Sequence, residues 1–550
     1  MKRLTSLLIA FCVLLSSPQQ PRARERARNQ EPAVTMMSGM GDLHHSVSTS
    51  LPEAQNFFDQ GLRLIYAFNH DEAARSFHHA AELDPKLAMA WWGVAESIGP
   101  NYNDPADPER FKQAHDAVER AVTLSATATP NEKAYIEALA KRFPSEPNAN
   151  LREAAERYRD AMRGVVRQFP DDLDAATLFA EAGMNLHPWG LWRTDGTPEA
   201  GTEEIVSTLE SVLRRDPNHM GAIHYYIHAV EASPNPERAL APASRLAALA
   251  PAAGHLVHMP GHVYIRTGDY ESAVRTNERA AAADRAYIGA GGGQGIYSAM
   301  YYSHNLHFIA ACSSMDGDYA SSRKAAEMLV QHVAPLVKEM PPLEGFMTVP
   351  MAVEVRFQKW DEILKMQPPD SAMKTATVFW HFGRGMALAG KGRVGEAETE
   401  YKAVAEAEHN TPPDAIFNMP VNNKAKDVLK IAENVLAAKI ELAKHNFGGA
   451  VSHLREAAAI QDSLKYGEPP DWFFPVRESL GGVLLLNGNA REAEKVFRDD
   501  LERNPRNPRS LFGLRESLKA EGRALEAQFV DQQFQSAWKS STKLTVDSLT

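Results

Sequence analysis

His-Leu-Val-His-Met-Pro-Gly-His-Val-Tyr-Ile-Arg-Thr-Gly-Asp-Tyr, running from His255 to Tyr270, is the stretch from which the rest of the chain is read. Wound as a helix at about 100° per residue, it places His255, His258 and His262 within roughly 60° of one another on one face. Thirty-four residues before His258 and His262 stand His224 and His228, inside His-Tyr-Tyr-Ile-His-Ala-Val-Glu, where the same geometry aligns His224, His228 and Glu231. His304 and His307 repeat the spacing of His255 and His258 once more, after a longer interval. The extra length reads as a loop from Ala286 to Met300, flexible at Gly291, Gly292 and Gly293. A face written three times at a fixed interval predicts an array of repeats rather than several unlike domains.

Composition fits that expectation. Of 550 residues, 44% are hydrophobic and 23% charged, as in ordinary globular chains. The net charge of -11 and the lack of a basic stripe interleaved with aromatics argue against a nucleic-acid partner. Lys2 and Arg3 precede an apolar run from Leu4 to Leu15, the order of a secretion signal, so residues 1–17 are expected to be removed and the chain exported to the periplasm or beyond. Only Cys312 then remains, and no intramolecular disulfide is possible. Residues 18–50, poor in apolar side chains, are expected to form a disordered leader in which His44 and His45 are solvated. No later stretch is apolar enough to span a membrane. Residues 541–550 read as a disordered polar tail.

From Gln55 the pattern changes. Gly61, Ala73, Phe77, Ala80 and Pro85 have the spacing of two helices that approach through small residues and end at a proline. The pattern returns at Gly261, Tyr264, Gly268, Tyr270, Ala273 and Ala280, and later at Gly385, Gly392, Ala397 and Tyr401; Ala438, Phe447, Ala450 and Ala457; and Gly481, Ala493, Phe497 and Pro505. This resembles the tetratricopeptide repeat. The resemblance implies an all-α fold, a right-handed superhelical solenoid, divided into an N-terminal array (51–340) that carries the histidine-rich groove and a C-terminal array (341–540). Three segments break the period: Gly99 to Pro105, Asn185 to Thr202, and Tyr466 to Phe474. Their prolines and tryptophans make each either a cover over a groove or an apolar plug on a neighbouring repeat.

In tetratricopeptide arrays the first helix of each unit lines the concave face, through the side chains six and three before, one after and four after its central small residue. Centred on Gly261, that rule selects His255, His258, His262 and Ile265. Centred on Ile227 it selects Gly221, His224, His228 and Glu231, and centred on Ala310 it selects His304, His307, Ala311 and Ser314. Seven of these twelve positions are histidine, where composition alone would supply roughly 0.4. A unit centred on Ala180 adds Glu181.

Imidazoles from neighbouring helices, whose axes lie about 8 to 10 Å apart, can meet on one ion at about 2.0 to 2.1 Å. His224, His228, His255, His258, His262, His304, His307 and Glu231 are therefore candidate ligands of a divalent transition metal, zinc or copper before others. Met259 and Met315 are possible soft ligands, read rather as core. Pro260 deprives the Leu256 carbonyl of its helical partner and should distort the helix between His258 and His262. Without a metal, the same face would be a pH-sensitive groove or a hydrogen-bonded ladder. Tyr225, Tyr226, Tyr264, Tyr301 and Tyr302 either line the pocket or pack between helices. No His-Glu-x-x-His run is present. The glycine-rich Gly385 to Gly392 lacks the Ser or Thr of a phosphate loop and reads as a helix ending in a turn.

The expectation is an exported solenoid whose groove holds a metal and presents it to a ligand or substrate. Were it an enzyme, it would be a metal-dependent hydrolase or oxidase, with Glu231 as candidate base. The alternatives are a metal-free scaffold that docks a peptide or protein in the groove, and a metal store or carrier.

Overall fold

The computed structural model describes residues 33–145, 149–293, 295–418 and 421–550. The apolar run expected to be a signal, Cys12 and residues 18–32 of the leader lie outside them. Met36–Thr550 is one compact unit; of the other unit, Met1–Thr35, only residues 33–35 are described. Among the described residues there are only helices, turns and three isolated bridges, with no strand.

The helices that frame the site are α1 (Pro52–Tyr66), α2 (His70–Leu83), α3 (Ala88–Ile98), α4 (Met220–Val230), α5 (Gly254–His258), α6 (Pro260–Thr267), α7 (Tyr270–Gly289) and α8 (Ser303–Asp316). Successive helices pack against one another along the chain, which makes a solenoid of helix pairs. The small-residue pattern explains how they approach. Phe77 of α2 is fully buried between Gly61 of α1 and Gly93 of α3. A β-carbon on Gly61 would stand 2.7 Å from the phenyl ring, and one on Gly93 would be closer still. Phe497 occupies the same place between Gly481 and Gly513 in the last repeats. The repeat is thus a ring seated on two glycines, and shape complementarity of this kind sets the helix spacing.

Helix ends follow sequence too. The side chains of Asp269 and Asp318 accept from the amides of Ser272 (3.1 Å) and Ser321 (3.0 Å), capping the helices that begin at Tyr270 and Tyr319. Gly268, at φ +74°, ends α6 in the left-handed region and lies against the carbonyl of Pro505, which also accepts a 3.2 Å bond from the Tyr270 hydroxyl. Central repeats therefore touch the last ones. Pro260 acts as expected: α5 ends at His258 and α6 begins at Pro260, with Met259 between them. Gly385 to Gly390 closes the helix Lys374–Gly390, and no phosphate loop forms.

Three expectations are corrected. From Met36 to Ser50 the leader is an extended segment bonded to the repeats: the Met37 amide donates to Gln60 (2.7 Å), Ser48 to Glu132 (2.6 Å) and the Thr49 hydroxyl to Asp84 (2.7 Å). Polar side chains hold it, which a scan for apolar content misses. The tail is likewise attached, with Leu549 buried and the Thr550 carbonyl accepting from Lys439 (2.7 Å) and Gln358 (2.8 Å). The loop set at Ala286 to Met300 is shorter, because α7 runs on to Gly289 and a π-helical turn, Tyr297–Tyr302, leads straight into α8. No helix among the described residues is long and apolar enough to cross a membrane.

Candidate metal centre

Helices α4, α5, α6 and α8 carry six histidines to one place. The donor atoms of His224, His228 and His255 all lie within 4.8 Å of one another, as do those of His258, His262 and His304. Nε2 of His224 faces Nε2 of His255 at 3.1 Å, and Nε2 of His258 faces Nε2 of His262 at 2.8 Å. A phenyl ring, Phe68, underlies the first trio, 4.4 Å from His224 and 5.2 Å from His255 between centroids.

Partners on the outer nitrogens fix which nitrogen carries the proton. Nδ1 of His224 donates to the Tyr66 carbonyl at 2.7 Å. Nδ1 of His258 donates to Oδ1 of Asn277 at 2.6 Å, and the amide is oriented by its own 2.8 Å bond to the Ala273 carbonyl. Nδ1 of His228 donates to Oε1 of Glu231 at 2.9 Å. On each of these three rings Nε2 is left as a lone pair turned inward. Nε2 of His228 and Nδ1 of His255 are buried with no hydrogen-bond partner at all. Glu231 reaches both trios, because its Oε2 stands 2.6 Å from Nδ1 of His262. That contact is close but not aligned as a hydrogen bond, and Oε2 of Glu468 approaches the same nitrogen at 3.2 Å.

Charge follows from burial and these contacts. Burial, then the neighbouring imidazoles, hold His224, His255, His258 and His304 well below the usual histidine value. Burial also lowers His228, against the pull of Glu231. His262 is the exception: burial opposes its charge, yet Glu231 and Glu468 push it up to about 10. Burial would raise Glu231, but His262 and His228 outweigh it and hold the carboxylate down at about 2. Neutral imidazoles are the form that coordinates metal, so His262 would have to release its proton to serve as a ligand, unlike the other five.

The period-breaking segments close over this face. Tyr102, from the first, lies 5.2 Å from His228 and 5.5 Å from Trp189 of the second. Asn103 ties the cover together, accepting from the Trp189 indole at 3.0 Å and donating to the Tyr301 hydroxyl at 3.2 Å. The third does both things expected of it: Trp472 plugs the core beside Phe382, while Glu468 reaches His262. Beneath them is a cavity of about 250 Å³ bounded by His228, His255, His262, His304, Tyr301 and Trp189.

The remaining candidates are placed elsewhere. His307 lines the cavity but meets Phe346 edge-on (5.6 Å) and stacks on Phe473 (6.2 Å), and is in neither trio; burial lowers it to about 3. Glu181 bonds to Asn185 and faces the Glu96–Arg142 pair, away from the imidazoles. Met259 is fully buried, and the sulfur of Met315 accepts from Arg356 at 3.2 Å, so both are core. Of the five tyrosines only Tyr301 borders the cavity. Glu468 escaped sequence reading because it lies some two hundred residues from the helix it faces, and no periodicity links them. His45 was read as solvated, yet it is held 2.8 Å from Asp174, whose other oxygen accepts from Tyr66 (2.7 Å).

No protein-family model and no curated protein matches the chain. Among solved structures, a human IFIT1 dimer with m7Gppp-AAAA is 11% identical and covers 89% of this chain and 91% of its own, with a TM-score of 0.32. The P58(IPK) TPR domain is 12% identical over 86% of this chain and 99% of its own, with a TM-score of 0.21. Cut9 with Hcn1, from an APC/C hetero-tetramer, is 11% identical over 84% and 76%, with a TM-score of 0.32. Scores this low do not superpose whole molecules. The paired helices and the ring-on-glycine crossings make this chain an all-α solenoid of helix pairs, the fold that its resemblance to the tetratricopeptide repeat implied.

Proposed function

We propose that the protein binds a divalent transition metal, zinc or copper, at the centre of its concave face and presents it to a small ligand in the adjoining cavity. One observation carries this reading. Outer nitrogens anchored on a carbonyl, an amide and a carboxylate turn the Nε2 lone pairs of His224, His228 and His258 inward, where the first and last meet only another imidazole and that of His228 meets no donor at all. Unpaired buried polar atoms cost roughly 1–3 kcal/mol each, so such a set stands only where something else satisfies it. Carbonyl and carboxylate partners behind ligating histidines are how metal sites fix ring tautomer and aim. A store or carrier would need no open position, and the cavity against His228, His255, His262 and His304 favours one. An extended peptide finds little room here, since His224, His228, His255, His258 and His262 are buried under the covering segments.

The test is elemental analysis of protein purified without a histidine tag and reconstituted with zinc, copper, iron or nickel. At least one ion per chain is expected, falling to trace in a His224→Ala/His258→Ala variant that takes one ring from each trio. Wild-type protein that holds none of the four above trace overturns the reading, and the peptide-docking scaffold replaces it. Export belongs to the same proposal and is supported by Lys2, Arg3 and the apolar run behind them. The mature chain should begin beyond Leu15 outside the cytoplasm; intact Met1 on cytoplasmic protein, by mass spectrometry, overturns it.

A further inference from the structure

We infer that the centre holds two ions side by side, one on His224, His228 and His255 and the other on His258, His262 and His304, joined through Glu231. This rests on the metal reading above and goes beyond it in number, placement and coupling. Six inward imidazoles are more than one zinc takes, since structural zinc is almost always four-coordinate and catalytic zinc keeps three protein ligands and an open position. The donors here come as three and three, each set within 4.8 Å. Within each trio a pair of ring nitrogens already faces each other at 3.1 or 2.8 Å, a hydrogen-bonded pairing that an ion between them would replace. Across the trios the rings are neighbours, with His228 and His262 at 5.5 Å and His255 and His258 at 5.7 Å between centroids. Two ions would therefore occupy adjacent positions, as in paired-metal sites that clamp one ligand between them.

Glu231 makes the pair a unit. Its Oε1 lies 2.9 Å from Nδ1 of His228 in one trio and its Oε2 lies 2.6 Å from Nδ1 of His262 in the other. One carboxylate thus aims a ring into each site, which makes Glu231 a positioning residue rather than a ligand or a base. All six donors are imidazole, a set that suits copper and zinc, whereas manganese and magnesium sites draw on oxygen. His228, His255, His262 and His304 border the cavity, so a ligand there can meet both ions.

Zinc and copper(II) are the probes, counted per chain after desalting, with circular dichroism to monitor the fold. Wild type should hold two. His224→Ala/His255→Ala and His258→Ala/His304→Ala should each hold one, and Glu231→Gln should weaken both sites about 10- to 100-fold. In copper-loaded wild type, coupling between neighbouring ions should leave the integrated electron paramagnetic resonance signal well short of the total copper. That readout needs no variant and stands even if the alanine variants fail to fold. A count of one, or a full uncoupled copper signal, overturns this inference and leaves the single-metal reading standing. Retention of the second ion by His258→Ala/His304→Ala together with its loss in Glu468→Gln would place it on Glu231, His262 and Glu468 instead, and also overturns the assignment. A count of zero removes both readings at once.

Discussion

Two polar clusters are buried in this molecule, and they are built on opposite terms. In the late repeats Arg356 forks onto Glu478 with two bonds of 3.1 Å, Asn507 donates to Glu478 (2.9 Å) and to Asp500 (2.8 Å), and Ser510 donates to Asp500 (2.6 Å). Asn504 serves the other oxygen of Asp500 at 3.0 Å, so every carboxylate oxygen in the cluster has a donor, and only Nε of Arg509, 3.9 Å from Glu478, is left without a hydrogen bond. At the histidine face the balance differs: Nε2 of His228 and Nδ1 of His255 have no partner, and Nδ1 of His262 meets Oε2 of Glu231 (2.6 Å) and of Glu468 (3.2 Å) as ion pairs without hydrogen-bond alignment. Both clusters are enclosed and sit on repeat helices. A complete network is self-sufficient and fixes the packing of its neighbours, whereas an incomplete one is complete only with something added. Burial of polar groups by itself therefore marks nothing; unpartnered acceptor nitrogens gathered within 4.8 Å of one another do.

The largest effect should come from breaking the complete cluster. Glu478→Ala strands the Arg356 guanidinium in the interior and should lower stability by about 3–5 kcal/mol, read from urea denaturation. A loss under about 1 kcal/mol would mean that the pair is not enclosed as described. Second in size is metal linkage at the incomplete cluster. Zinc or copper at 100 times its dissociation constant should stabilise the fold by about 2.7 kcal/mol for each site filled, and a chelator should reverse the gain. Thermal unfolding with and without metal checks this. Glu478→Ala should keep the increment, because the two clusters share no residue.

A third effect separates a satisfied carboxylate from an unburdened one. Burial, reinforced by Glu478, raises Asp500 to about 6 although neutral donors oppose it. The folded state then holds a proton that the unfolded chain releases near its ordinary carboxylate value. Stability from this group is full at the acid end and declines as pH rises through the folded value, from about 4 to about 6. The decline is on the order of 1–3 kcal/mol, and Asp500→Asn should flatten it in urea midpoints taken across that window. An unchanged slope in the variant would assign the pH dependence to another group.

The fold was legible because the repeat is carried by shape. A glycine facing an aromatic ring at fixed intervals, as with Gly61 and Phe77, can be read along the chain without knowing any distant contact. The histidine face was legible for the same reason: His224, His228, His258 and His262 are one period apart, and helical spacing places them together. What lay outside the reading comes from long-range closure. Glu468 meets His262, and Tyr102 meets Trp189, only because segments that interrupt the repeat fold back over the histidine face. Periodicity describes the regular part and is silent about its interruptions. The leader and tail were misread on composition: His45, Ser48 and Thr49 are held by polar contacts to Asp174, Glu132 and Asp84, and hydropathy does not register such bonds.

His307 offers the smallest expected effect and the sharpest cut through the histidine face. The groove rule selects it together with His304, three residues earlier on the same helix, and it borders the same cavity. Its environment differs in kind. Phe346 and Phe473 enclose the ring, no carbonyl, amide or carboxylate stands behind either nitrogen, and it belongs to neither set of three. His304 likewise has no acceptor behind a ring nitrogen, so what separates the two is convergence: the donor atom of His304 lies within 4.8 Å of those of His258 and His262, whereas His307 joins no such set. Phenylalanine has nearly the same shape and suits an aromatic slot, so His307→Phe should change stability by less than about 1.5 kcal/mol and leave bound metal per chain as in wild type. His304→Phe, by contrast, should remove one ion of the two. Loss of metal in His307→Phe equal to that in His304→Phe would mean that position along the repeat, rather than convergence of the donor atoms, decides which histidines bind.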